Sequence, residues 1–192
     1  FTMTISGPSG SGKTIFTLKL IEQAQELIYP QPKKIIYCYG EYQKVFNKYP
    51  HVEFHDGLPN LDRFDGKEPI LLILDDLMTS CDKRITELFV SISHHRDLSV
   101  VYLTQNLFYK HSESRTISLN SGYLVLFKNV RDAQQVSHLS RQMYPSKSKF
   151  LTNAFADATA QPHGYLMIDL KPATPDEHRI RTGIFKGDAQ YV

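Results

Sequence analysis

The stretch Gly7-Pro8-Ser9-Gly10-Ser11-Gly12-Lys13-Thr14 constrains this chain more than any other part of it. It fits the pattern G-x-x-x-x-G-K-[S/T] at every fixed position. Residues 2–6 before it read as a short strand. Residues 15–28 after it read as an amphipathic helix, with Phe16, Leu18, Leu20, Ile21, Ala24, Leu27 and Ile28 near helical spacing. Strand, glycine-rich turn and helix is the context in which such a loop cradles phosphate. Glycines let the backbone wrap closely and turn successive N–H groups toward one anion. The helix N-terminus adds free donors and the positive end of its dipole. The nucleotide-binding residues in this reading are Gly7, Pro8, Ser9, Gly10, Ser11, Gly12, Lys13, Thr14 and Ile15. Lys13 reaches the β- and γ-phosphates of ATP, and the Thr14 hydroxyl ligates Mg2+. A glycine-rich loop that merely contains Gly-Lys-Thr is the plain alternative, and the flanking strand and helix argue against it.

Residues 69–74 are the most apolar run of the chain and lead into Asp75-Asp76. A continuous run of this kind fits a strand buried on both faces of a parallel sheet. Further strands are expected at 34–39, 98–103, 122–127 and 165–170, with a short edge strand at 52–54. Helices are expected at 41–49, 82–95, 131–143 and 146–158, and loops at 56–68 and 108–120. A tail from about residue 171 ends in an extra strand at 180–185 or forms an oligomer contact. Strands alternating with helices imply one three-layer α/β domain over 1–192 with a mainly parallel sheet, a P-loop NTPase. Ligands of such sheets bind beyond the carboxyl ends of the strands. The P-loop, Asp75-Asp76 and Gln105 all fall at expected strand ends, so they should share one crevice.

Within that crevice Asp75 is expected to hold the Mg2+ cluster, and Asp76 to polarise the attacking water as general base. An Asp capping a helix start is the plain alternative for either. Gln105 follows the strand at 98–103 and can bond the γ-phosphate and the water together; its plain alternative is a solvated strand end. Charge developing on the γ-phosphate calls for a further cation, supplied in ring ATPases by the neighbouring subunit. Arg115, in the loop after Gln105, is the favoured trans arginine, with Arg96 and Arg131 as alternatives.

The net charge of +2 over 192 residues carries no global basic signature, so any DNA contact must come from local placement. Cys38 and Cys81 lie far apart without metal-ligand spacing, which favours a reducing setting over a disulfide. No run is apolar and long enough to span a membrane, and no signal-peptide pattern appears. The chain starts in its first strand without an initiator Met, so a further N-terminal segment is an open expectation.

Six later blocks carry a resemblance. Residues 70–76, His94-His95-Arg96-Asp97-Leu98-Ser99-Val100 and Thr104-Gln105-Asn106 resemble the FtsK/HerA superfamily, P-loop ATPases of the RecA/FtsK-like ASCE type. They look most like its viral genome-packaging branch, the ATPases of poxviruses, adintoviruses and Polinton elements, and residues 115–120, 127–132 and 163–170 are similar to the Polinton type in particular. The resemblance implies an ATP-driven translocase of double-stranded DNA that works as a homo-oligomeric ring, a hexamer or pentamer. It implies that the ring fills a preformed capsid from the capsid vertex, inside the host cell in the nucleus or a cytoplasmic factory. Lys13, Thr14, Asp75, Asp76 and Gln105 carry over position by position, and Arg115 matches an arginine that several members share. The poxvirus relative has Gly-Arg-His where this chain has Ser93-His94-His95, so the trans arginine stays open among Arg115, Arg96 and Arg131. The second acid is Asp rather than the Glu of cellular members. No base-reading motif separates ATP from GTP. A different class, a nucleotide-gated binding or assembly protein with little turnover, fits the P-loop equally but leaves Asp76 without a task. A small-molecule kinase would leave Gln105 unexplained.

Overall fold

A computed structural model describes residues 1–77, 83–92, 97–107 and 112–188. Its strands are β1 (Thr2–Ser6), β2 (Lys34–Tyr39), β3 (Glu53–Asp56), β4 (Ile70–Asp75), β5 (Leu98–Thr104), β6 (Tyr123–Phe127), β7 (Tyr165–Asp169) and β8 (Ile180–Arg181). They form one eight-stranded sheet in the order β3-β2-β4-β5-β1-β6-β7-β8. Every pairing from β3 to β6 is parallel, while β7 and β8 add antiparallel at one edge. β5 lies between the P-loop strand β1 and the acidic strand β4, which carries Gln105 to the gap between phosphate loop and carboxylates.

Side chains alternate across a strand, so each strand serves two cores. On one face Ile5, Tyr37, Ile73, Leu103 and Val125 meet Phe16, Leu20 and Ile21 of α1 (Lys13–Glu22) and Ala24 of α2 (Ala24–Leu27). On the other face Ile36, Leu72 and Val100 meet Ile85 of α3 (Lys83–Glu87), Leu88 and Phe89 of the π-helical turn Leu88–Ile92, and Ile117 of α4 (Ser112–Leu119). A third cluster on that face joins Leu124, Leu126, Leu166 and Ile168 to Val136 and Leu139 of α5 (Gln134–Met143) and Leu151 of α6 (Ser148–Ala158). Helices on both faces make the three-layer α/β architecture of a P-loop NTPase.

The two clusters on the second face are separated by the alternate residues of β1, which are Thr2, Thr4 and Ser6, all buried. The end of α4 satisfies the first two. Thr2 Oγ1 donates to the Asn120 carbonyl at 2.7 Å, and the Thr4 and Ser121 hydroxyls bond at 2.7 Å. Net gains near 1 kcal/mol per such bond stand against roughly 1–3 kcal/mol for an orphaned group, so the seam needs α4 in place.

Several expected bounds change. The helix read at 15–28 starts at Lys13 and divides at Gln23, whose backbone leaves helical angles (φ −106, ψ 13) and whose side-chain oxygen accepts from the Lys186 N–H at 2.9 Å. The helix at 41–49 is a 3-10 turn, Lys44–Lys48. The helix at 82–95 is α3 and the π-turn, with its two ends outside the described residues. The loop at 108–120 contains α4, so Arg115 stands exposed on a helix and not in a loop. Of the side chains described in α4, only Ile117 and Ser118 are buried, and so narrow a stripe hides a helix in a polar sequence. Arg131 does not begin a helix: Asn129 Oδ1 accepts its N–H at 3.1 Å in a turn, and α5 starts at Gln134. The strand at 180–185 is two residues long. Beyond it Phe185 meets the Phe16 ring edge at 4.9 Å, and Asp188 pairs with Lys19 at 3.0 Å, which binds the tail to α1. Among the described residues no helix is long and apolar enough to cross a membrane.

Candidate active site

Four neighbouring parallel strands end on one cleft of about 370 Å3. From β1 it takes Ser9, Gly10, Gly12, Lys13, Thr14 and Ile15, and from β5 Leu103, Thr104 and Gln105. β4 supplies Asp75 and Asp76, and the segment after β2 supplies Glu41 and Gln43. The crevice expected for the P-loop, the acidic pair and Gln105 is therefore present, with Glu41 and Gln43 added.

The loop is shaped to receive an anion. Gly12 caps α1 with φ 114, in the left-handed region that glycine tolerates. A Cβ there would also come within 3.1 Å of His163 and 3.2 Å of the Phe127 ring. His163 Nδ1–H donates to the Ser11 carbonyl at 3.2 Å, so the segment before β7 buttresses the loop from behind. The Lys13 ammonium donates to the carbonyls of Gly7 at 2.5 Å and Pro8 at 3.0 Å, holding the positive charge over the turn. Burial lowers the Lys13 pKa, with Asp75 and Asp76 opposing the shift. Ser11 Oγ is buried without a hydrogen-bond partner among the described residues. Loop, cation, unpartnered hydroxyl and cleft volume fit a nucleoside triphosphate.

The strand ends are tied to one another. The Gly7 N–H donates to the Thr104 carbonyl at 3.1 Å, joining the P-loop to β5. Thr104 Oγ1 accepts from the Asn106 N–H at 3.3 Å and donates to its carbonyl at 3.1 Å. One residue on, the Leu107 N–H donates to Gln135 Oε1 at 3.0 Å. Gln105 thus rides on a turn fixed at both sides, its own side chain exposed to the cleft.

Asp75 and Asp76 differ sharply. Asp75 is 8% exposed, and the buried Tyr37 hydroxyl donates to its Oδ2 at 2.6 Å. Burial raises the Asp75 pKa; the Tyr37 bond and Lys13 pull against that rise. Asp76 is exposed and takes the left-handed conformation (φ 52). Its carbonyl lies where a Cβ on Gly40 would sit 2.7 Å away, and the Gly40 N–H donates to the Asp75 carbonyl at 3.1 Å. Only a glycine at 40 lets the end of β2 close onto the end of β4. Thr14 and Asp75 face one cleft and are the pair that can hold Mg2+, a hard cation that takes oxygen ligands.

Of the arginines, Arg115 is exposed on α4 and Arg131 is exposed in the turn after β6. Neither lines the cleft, and Arg96 lies outside the described residues. The residues missed in the sequence are Tyr37, Gly40, Glu41, Gln43 and His163. Each reaches the site through strand order or chain reversal, so spacing gave no signal.

No protein-family model matches the chain, and no curated protein matches it by sequence. Among solved structures it is similar to the genome packaging NTPase B204 from Sulfolobus turreted icosahedral virus 2, in complex with AMPPCP. The two superpose with a TM-score of 0.55 over 96% of each chain, at 13% identity. At that identity the likeness speaks for the fold, which is that of an α/β P-loop NTPase.

Proposed function

We propose that this chain is a P-loop ATPase that drives double-stranded viral DNA into a preformed capsid. One observation carries the reading: P-loop, acidic pair and Gln105 line a single cleft. The fold shared with a packaging NTPase that binds an ATP analogue supports it. Lys13 and the loop N–H groups bind the phosphates. Thr14 and Asp75 would hold Mg2+, which would supply positive charge against the phosphates when bound. Asp76 polarises the attacking water, and Gln105 bonds water and γ-phosphate together.

With no arginine among the described residues lining the cleft, the cation for the developing charge comes from the next subunit of a homo-oligomeric ring. Arg115 and Arg131 are the exposed donors for that role, and Arg96 is the third by sequence. The ring sits at the capsid vertex, inside the host cell. ATP hydrolysis by the oligomer, measured with and without duplex DNA over a salt series, tests the motor. Stimulation by DNA that falls steeply with salt is expected, because phosphate contacts release counterions. Equal rates with and without DNA in an oligomeric preparation would contradict it, and nucleotide binding without turnover would favour a nucleotide-gated assembly protein.

A further inference from the structure

Among the described residues that line the cleft, Glu41 is the charged one that the site as described leaves unused. Register aligns Tyr39 of β2 with Asp75 of β4, so Glu41 stands just past the level of the buried carboxylate. Its main chain is fixed on both sides. Before it, Gly40 is bonded to the Asp75 carbonyl and pressed against Asp76. After it, the Tyr42 ring meets Tyr39 edge-on at 5.7 Å and Phe46 at 5.6 Å, and its hydroxyl bonds Asn47. The Glu41 side chain itself is exposed and lines the cleft with Gln105 and Asp76. An exposed carboxylate on a backbone held by its neighbours suits a group that must meet a water and take up its proton.

Asp76 is less suited to that transfer. Its arm is one methylene shorter, and its left-handed backbone is locked over Gly40. We infer that Glu41 is the proton acceptor of the hydrolysis step, with Asp76 polarising the same water. The water oxygen bonds to the γ-phosphorus, and its proton passes to the Glu41 carboxylate. The bond to the β–γ bridging oxygen breaks, and its electron pair leaves on ADP. Glu41 then returns the proton to phosphate or solvent. This assignment rests on the ATPase reading above.

The test compares wild type, Glu41→Gln and Glu41→Asp as full chains in the presence of Mg2+. Three readouts are taken: turnover, affinity for AMPPCP, and trapping of ADP with aluminium fluoride, which mimics the transferring phosphoryl group. Glu41→Gln is expected to lower kcat by about 100-fold or more, the scale of a lost general base, with AMPPCP affinity unchanged and trapping lost. Glu41→Asp, which keeps the carboxylate, is expected to recover part of the rate. Glu41→Gln turning over within about twofold of wild type overturns the assignment alone, set against the 100-fold scale of general-base loss. A parallel loss of AMPPCP affinity also overturns it, because Glu41 then serves ground-state binding. A wild-type chain that binds ATP without hydrolysing it overturns the ATPase reading, and this assignment with it.

Discussion

The two sides of the cleft are built differently. On the β1 side the binding elements are contiguous in sequence: Lys13 rests on the carbonyls of Gly7 and Pro8, and His163, from the segment before β7, closes on the Ser11 carbonyl from behind. On the β2–β4 side the parts come from separate strands, rigid below and open above. Tyr37 fixes Asp75 in the buried layer, while Asp76 and Glu41 stand exposed at the tip. The difference teaches a division of labour. In the proposed reading the first side receives phosphate, and the second is a frame that presents exposed carboxylates to water.

The strongest way to break the comparison is on the receptor side. Lys13→Ala removes the one cation lining the cleft among the described residues and is expected to weaken AMPPCP binding by at least about 100-fold, since losing a partly buried charge-assisted contact costs roughly 2–5 kcal/mol. Fluorescence titration checks it. Gly40→Val attacks the frame. Its side chain overlaps the Asp76 carbonyl, so the ends of β2 and β4 must part. Turnover should fall by about 100-fold, as for misplaced catalytic groups, while AMPPCP binding holds. Binding lost in step with turnover would show that the two sides are not separable.

A milder probe is Tyr37→Phe, which deletes only the hydroxyl on Asp75. Mg2+ titration of the AMPPCP complex should show an affinity about 10-fold weaker, the scale of removing a ligand's supporting bond. The smallest effect concerns stability without nucleotide. Burial raises the Asp75 pKa in the folded chain, so the native state binds that proton more tightly than the unfolded state. Stability from this group therefore falls as pH rises from the ordinary carboxylate range through the raised value. Asp75→Asn should remove that slope, and melting temperatures of both chains across mildly acidic to neutral pH read it out.

The receptor side was legible because its chemistry is local. Eight consecutive residues announce it, and the apolar run of β4 announces the acidic pair. Gln105 followed from its place at a strand end, and β5 lies between β1 and β4, where its proposed role would need it. Tyr37 and Glu41 were not legible, because only the pairing of β2 with β4 brings them to Asp75. Tyr37 reads in sequence as one more apolar position of a buried strand, and Glu41 as a surface residue of a short helix. The loop assignment at Arg115 failed for a related reason: of the side chains described in α4 only Ile117 and Ser118 are buried, and the polar sequence masks the helix. Local periodicity gives the elements, and the crossovers that bring distant strand ends together are not written in it.

The claim that this cleft hydrolyses its nucleotide is tested most directly by single-turnover kinetics with Mg2+ and saturating ATP, wild type against Asp76→Asn. Phosphate release is expected from wild type, with a rate about 100-fold lower in the variant at unchanged nucleotide affinity, because the attacking water loses the group that positions it. Indistinguishable time courses in the two chains would contradict the account.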